Sequence, residues 1–442
     1  MRSLALAGLL ITAATAAAAE PAPQPVLARS EMMADLEQFG AAVKQGWAYA
    51  DYRRSTGVDV DTLLADAVAG LPERSERSEF AQLMRRMVAA LQDGHAWVAA
   101  PGLDDRGDRV WPFSLVDTRE GLVVDRVDPK LRAPRRGDIL VAVGEVPLSE
   151  LLGTAMEVAS ASTNGMRRAR ALQTLRLTRA LRSRFTFRRT SGRLFVIDLK
   201  NQPLPTTATP RSSSSAWLGR KKLPGDVGYI RIASFTALDQ RRWREALPSE
   251  RDALIADQYD DIDQAFDAVA NSRAVVLDLR GNSGGTDMLA MRLAQHLVPG
   301  GSPFYRLEDP GAGSGTAAPS PAVMIPAAPS FTPYPGQLTV LIDELSFSAA
   351  DNLIACLRAV RPKAVFVGRP SGGGSGAPRL AVKLAHSGFE VGYSTLRVYD
   401  PAGNLIEGHG TIPDILVEKT RADVIAQRDP DLVAALHKLG RR

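Results

Sequence analysis

Ala274-Val275-Val276-Leu277-Asp278-Leu279-Arg280-Gly281-Asn282-Ser283-Gly284-Gly285 is the stretch whose reading decides the fold. A continuous apolar run of strand length, broken at once by turn formers, marks a strand buried on both faces, as in parallel sheets covered by helices. The same grammar continues outward. Val227-Gly228-Tyr229-Ile230-Arg231-Ile232 reads as a strand, and 262–269 as a helix. Beyond the glycines, 288–297 reads as a helix, Leu338-Thr339-Val340-Leu341-Ile342 as a buried strand, 349–360 as a helix and 364–368 as a strand. Alternation of this kind predicts an α/β core with a largely parallel central sheet over residues 226–442. In such sheets the chemistry sits at the carboxyl ends of the strands. The Pro/Gly/Ala-rich stretch 308–335 reads as a long surface loop near the site.

Upstream the pattern differs. Met32, Leu36, Phe39, Val43 and Trp47 recur at three- and four-residue steps, and Phe80, Leu83, Met87 and Leu91 repeat them. This predicts an N-terminal helical subdomain over 20–100, packed on those residues and ending in Gln92-Asp93-Gly94-His95. Residues 101–205 carry short apolar runs separated by turns: 121–124, 138–143 and 194–197. Within them, GLVVDRVDPKLRAPRRGDILVAVGEVPLSELL resembles a PDZ module, an inserted β-rich unit. Ten arginines and no lysine lie between Met166 and Arg193. They read as the solvated face of a helix, with Leu172, Leu175 and Leu181 turned inward, in preference to a basic surface for anionic partners. Residues 206–225, rich in Pro, Ser and Thr, read as a linker.

Residues 1–19, MRSLALAGLLITAATAAAA, have a positive start, a compact apolar run and a small-residue end, the pattern of a secretory signal peptide. The run is shorter than the roughly 20 residues of a membrane span. The expectation is an exported chain, periplasmic or secreted, with no stable membrane span after cleavage. The 442 residues allow about three domains of about 150 residues each. A net charge of +5 over that length gives no case for nucleic acid. The single cysteine, Cys356, excludes an internal disulfide, and the five histidines lack HExxH or HxH spacing. No metal and no cofactor is expected.

Three segments can carry chemistry. The glycine turn 281–285 can turn backbone amides into open space at a strand end, where they hold phosphate or stabilise an oxyanion. The phosphate reading lacks GxxxxGK[ST] and GxGxxG. In Asp343-Glu344-Leu345-Ser346-Phe347-Ser348-Ala349-Ala350-Asp351, a serine lies between a buried strand and a helix start, where free amides and the helix dipole favour negative charge. Equally, Ser346 or Ser348 can simply cap the helix, with Asp351 completing a capping-box pair. His95 can be a turn residue or a base, since its pKa lies near neutrality.

Taken together these segments resemble the tricorn-core and C-terminal-processing peptidase family of serine proteases, which also includes the interphotoreceptor retinoid-binding proteins. The order is the same: helices ending in Asp-Gly-His, a PDZ-like module, strand-Arg-Gly-Asn-x-Gly-Gly, Ser-x-Ser-Ala-x-Asp, and the late Glu407-Gly408-His409-Gly410-Thr411-Ile412-Pro413-Asp414. The resemblance covers about 31–420 and implies a ClpP/crotonase-like core. It implies Ser348 as nucleophile, His95 as general base and Glu407 as the group that orients the charge network. It places the oxyanion hole on the amides of Ala349 and Gly284, with Gly285 as the alternative. The lysine of the Ser-Lys branch is missing from 369–376, which favours the tricorn-like Ser-His branch. Tricorn-like members often place a hydroxyl residue before the histidine; here that position is Gly94, leaving Asp93 or a water to substitute. The resemblance implies a serine peptidase acting on polypeptides, with the PDZ-like module binding or gating substrate C-termini. The alternatives are a non-catalytic protein binding an apolar ligand or peptide on the same scaffold, and a hydrolase of another acyl bond.

Overall fold

Strands and helices alternate from Leu218 to the C terminus in the computed structural model, which describes residues 25–440 apart from 104–106, 205–216, 311–320, 328–331 and 377–381. The signal-peptide reading, most of the expected linker and the middle of the 308–335 loop lie outside the described residues.

The N-terminal helices are α1 (Arg29–Gly46), α2 (Ala50–Ser55), α3 (Val60–Ala69) and α4 (Arg77–Ala90). The expected periodic residues Met32, Leu36, Phe39, Val43 and Trp47 are all buried, and so are Phe80, Met87 and Leu91 of the second set; Leu83 is only half-buried, and Met84 takes the inward place. The cluster also takes in Leu384, Phe389 and Val391, and Trp97–Ala99 pairs with Glu390–Gly392. The helices therefore share a core with a late segment of the chain. That contact carries the Asp93-Gly94-His95 turn toward the catalytic half.

Residues 107–204 form a β-rich module with strands β1 (Phe113–Thr118), β2 (Gly121–Val127), β3 (Ile139–Val143), β4 (Arg182–Arg188) and β5 (Leu194–Lys200) and helices α5 (Leu148–Glu157) and α6 (Asn164–Leu175). The sheet order is β5-β4-β3-β2-β1, so β1 and β5 are edges. Its core is aromatic: Trp111, Phe113, Phe185 and Phe187 interlock largely edge to face.

The catalytic half is built on β6 (Leu218–Leu223), β7 (Val227–Ile232), α7 (Ala256–Asp267), β8 (Ala274–Asp278), α8 (Asp287–Gln295), β9 (Gln337–Ile342), α9 (Ala349–Val360), β10 (Val365–Gly368), β11 (Ile415–Leu416), α10 (Arg421–Ile425) and α11 (Pro430–Gly440). The sheet runs in that strand order, antiparallel between β6 and β7 and parallel at the other pairings. All of β8 is buried. Its Val275 and Leu277 meet α7, α8 and α9 on one face, while Ala274 and Val276 meet α11 on the other. Residues 218–223, expected as linker, are instead the edge strand. Their Arg220-Lys221-Lys222 run suits an unpaired edge facing water, and that charge disguised the strand. No helix of the described residues is long and apolar enough to cross a membrane.

Candidate active site

Strands β8 and β9 both end in turns that meet at Ser348. Asn282 stitches them together. Its carbonyl accepts the Phe347 N–H at 2.9 Å, and its side-chain amide donates to Ile232 O at 3.2 Å. Ser348 itself has φ 60°, a left-handed conformation that costs about 1–3 kcal/mol and survives only where its surroundings enforce it. Those surroundings are the Ser348 N–H bond to Gly374 O at 3.0 Å and the first turn of α9, where Asn352 N–H reaches Ser348 O at 2.9 Å.

The capping alternative fails on this geometry. Ser348 makes no side-chain cap bond. Ser346 is the structural serine, donating to Leu279 O at 2.9 Å and accepting the Asp343 N–H at 3.0 Å. Asp351 does not cap the helix either. Its buried carboxylate accepts the Ser371 hydroxyl and the N–H groups of Gly373 and Gly374 at 2.8 and 3.1 Å, which fixes the glycine loop whose Gly374 carbonyl holds Ser348. Burial raises the Asp351 carboxyl to about 7, although these three bonds pull it down.

His95 arrives from the other half of the chain. Its Nε2 lies 3.1 Å from Ser348 Oγ, across 253 positions of sequence. Buried Asp93 anchors the turn by accepting from His95 N–H at 2.8 Å, Trp47 Nε1 at 3.1 Å and the Ser394 N–H and hydroxyl at 2.8 and 2.9 Å. The imidazole packs on Phe347 with ring centroids 4.5 Å apart. Burial lowers its pKa to about 4; Arg170 adds to that and Asp93 opposes it. At neutral pH the ring is uncharged, and with its proton on Nδ1 the Nε2 lone pair faces the Ser348 hydroxyl.

Glu407 is fully buried and is held by Arg53, whose Nη2 lies 2.9 Å from Oε1. Burial lifts it to about 8 and Asp93 repels its charge; Arg53 and Ser162 pull the other way. Glu407 makes no direct bond to His95. Among the described residues, Glu407 Oε2 and His95 Nδ1 are both buried without a partner.

One expected donor is corrected. The Gly284 N–H is spent on Asn282 Oδ1 at 2.9 Å, because the Asn282 side chain folds back under the turn. Gly284 is required for another reason: at φ 89° a Cβ there would sit 2.6 Å from Ser348 Cβ. Among the described residues, the neighbouring Gly285 N–H and the Ala349 N–H, first in α9, form no hydrogen bond.

The arginine-rich helix also departs from expectation. Leu181 is 55% exposed, whereas Arg167 and Arg170 of α6 turn toward the site. Arg170 donates to Gly94 O at 2.8 Å and lies 4.9 Å over the Phe347 ring, and Arg167 reaches Ala89 O at 3.1 Å. Helical spacing put the leucines inside but could not show that a second surface covers the opposite face. Arg53 left no signal in sequence at all. His409 contacts the Tyr52 hydroxyl at 3.3 Å and not Ser348 or His95, and Cys356 is buried in α9.

Residues 226–417, which hold the glycine turn, Ser348 and Glu407, match the profile of Peptidase family S41. That segment belongs to the family. The chain is a serine-type peptidase. No curated protein matches the sequence. Among solved structures, this S41 peptidase is similar to mature CPAF complexed with lactacystin, at 15% identity and a TM-score of 0.73, covering 93% of this chain and 97% of that one. It is similar to mature CPAF without that compound at 15% identity and a TM-score of 0.70, covering 90% and 94%. A putative peptidase from Parabacteroides merdae, at 16% identity, covers 93% and 97% with a TM-score of 0.55. At these identities the likeness is one of fold.

Proposed function

We propose that this S41 peptidase cleaves polypeptides with Ser348 as nucleophile and His95 as general base. The observation that carries the reading is the 3.1 Å approach of His95 Nε2 to Ser348 Oγ on a strained, glycine-walled turn. The Ser348 proton passes to Nε2 as Oγ attacks the scissile carbonyl carbon. The resulting oxyanion takes the N–H groups of Ala349 and Gly285. The imidazolium then returns its proton to the leaving amine, and a water repeats the sequence to release the acid. Each oxyanion donor contributes about 3 kcal/mol. Glu407 orients the charge network around His95.

Substrate C-termini suit the module. The free edge of β1 and helix α6 bound a groove of about 280 Å³ lined by Trp111, Leu115, Leu122, Leu172 and Leu175. An extended chain adding to β1 would place its apolar side chains there. Export by the 1–19 segment belongs to the same reading, and N-terminal sequencing of the exported chain is expected to begin at Glu20.

The test is labelling by a fluorophosphonate together with cleavage of an unstructured polypeptide. Wild type is expected to label and cleave. Ser348→Ala should lose labelling, and His95→Ala should lose about 10⁴-fold or more in kcat. An unlabelled wild type, or labelling that survives Ser348→Ala, would return the chain to the ligand-binding alternative. Cleavage of esters but not of peptides would favour the other acyl hydrolase.

A further inference from the structure

Among the described residues, His95 Nδ1, a donor when Nε2 accepts, and Glu407 Oε2 are both buried and unmatched. A hydroxyl with a side-chain contact to Glu407 lies among the groups that surround them. Ser162, 3% exposed, sits in the turn between α5 and α6 of the β-rich module. Its Oγ accepts the Gly94 N–H at 3.0 Å, on the residue just before His95. A Cβ added at Gly94 would stand 2.5 Å from that oxygen, and one added at Gly374 would stand 2.4 Å from it. The hydroxyl thus occupies a niche that exists because both neighbours lack side chains. One of them precedes the base, and the other supplies the carbonyl that holds the nucleophile's N–H.

Ser162 also touches the acid. Its carbonyl accepts from Arg53 Nη2 at 3.1 Å, the same nitrogen that binds Glu407 Oε1 at 2.9 Å. Its hydroxyl favours the ionised form of Glu407. A serine hydroxyl has one donor and two acceptor positions. Gly94 takes one acceptor. What remains is one O–H and one lone pair, the complement of a carboxylate oxygen and an imidazole N–H.

We propose that Ser162 is a positioning residue that links Glu407 to His95, giving its O–H to the carboxylate and its free lone pair to Nδ1–H as the imidazole takes up the Ser348 proton. No bond is made or broken at Ser162; it holds the imidazolium's second N–H, which would otherwise stay buried and unpartnered beside the Arg170 guanidinium. The contact is open at rest and closes when the ring becomes charged, as catalytic hydrogen bonds often do on going from free enzyme to transition state.

This inference rests on the Ser348–His95 reading, and the experiment separates the two. Fluorophosphonate labelling is followed in wild type, Ser348→Ala and His95→Ala. The values of kcat and KM are then measured for Ser162→Ala, Glu407→Gln and the double variant, each checked for a native circular dichroism spectrum. Ser162→Ala is expected to lose about 10- to 100-fold in kcat, with KM within a factor of about two. If Ser162 acts through Glu407, the double variant is no slower than Glu407→Gln alone. Labelling that ignores Ser348 or His95 overturns both readings. Labelling that needs both, with Ser162→Ala at wild-type kcat, overturns this inference alone. So does a Ser162→Ala loss that multiplies with that of Glu407→Gln, the mark of a merely structural hydroxyl.

Discussion

Asp351 offers a direct test of how Ser348 is held. Its carboxylate is 1% exposed, accepts from one hydroxyl and two amides, and has no cation bonded to it among the described residues. Burial is the leading cause that raises it from 3.8 to about 7. A carboxyl whose folded pKa lies above its unfolded value contributes stability that is fully present below about pH 4 and lost as pH rises through about 7. Above that window the charged form costs about 4 kcal/mol relative to the neutral one. In Asp351→Asn, Oδ1 can face the amides of Gly373 and Gly374, which share one carboxylate oxygen, and Nδ2 can face Ser371 Oγ. The charge goes and the geometry stays. Relative to wild type, the Asn variant should therefore gain about 3 kcal/mol between pH 5 and pH 8. Denaturant unfolding at the two pH values, followed by circular dichroism, reads this difference. Asp351→Ala instead strands the hydroxyl and both amides at about 1–3 kcal/mol each, releases Gly374 from Ser348, and should be inactive. A wild-type-minus-Asn difference that is equal at pH 5 and pH 8, or that changes in the opposite direction, would refute the argument.

Four further outcomes follow from the same geometry. Burial holds His95 at about 4, so kcat/KM should fall with acidity only near pH 4 instead of near 6.5. Arg170→Gln, by removing a cation that depresses the ring, should move that acid limb to higher pH, and an unmoved limb would exclude Arg170 from the electrostatics. Gly284→Ala, with its Cβ 2.6 Å from Ser348 Cβ at φ 89°, should lose fluorophosphonate labelling by about 100-fold or more, and near-normal labelling would show that the turn can yield. Arg53→Met leaves Glu407 buried without its ion pair, which should cost about 3–5 kcal/mol of stability at pH 9, where Glu407 is charged, and less at pH 6, where it is protonated; a loss that does not depend on pH would mean that Arg53 acts mainly through its bonds to backbone carbonyls.

What the sequence disclosed is what local periodicity and turn chemistry determine. The helix expected at 349–360 and the strand at 227–232 appear with those bounds, because an apolar run or stripe between turn formers has few other structures open to it. Ser348, His95 and Glu407 stood out because each lies in a short motif of turn residues. The residues that complete the site carry no such mark. Arg53 lies in Tyr52-Arg53-Arg54, which reads as surface, and is buried where the segments at 92 and 162 and the 407–410 turn meet over it. Asp351 has the spacing that completes a capping box, and nothing in the chain announces that the 371–374 loop lies within its reach. Gly284 shows the limit from the other side. Its glycine is required, yet the open amide is Gly285, because a side chain two residues earlier claims the first N–H.

The β-rich module is part of the site and not an appendage to it. Helix α6 has two working faces. Leu172 and Leu175 line the groove beside β1, where Arg168 also pairs with Asp117 at 2.5 Å. On the inward side Arg170 grips the Gly94 carbonyl, Arg167 grips the end of α4, and Met166 joins Ala161 and Phe347 in one apolar cluster next to the nucleophile. Ser162 enters from the turn that begins this helix. A shift of α6 of about 1 Å would lengthen the Arg170 bond and withdraw the Ser162 hydroxyl together, since both ride on one rigid element, and misplacement on that scale can cost about 100-fold in rate. The strand addition proposed at β1 would act on the same helix. A chain seated in the groove would therefore press on the element that holds the His95 turn, since an ion pair and two arginine–carbonyl contacts fix α6 between the groove and that turn.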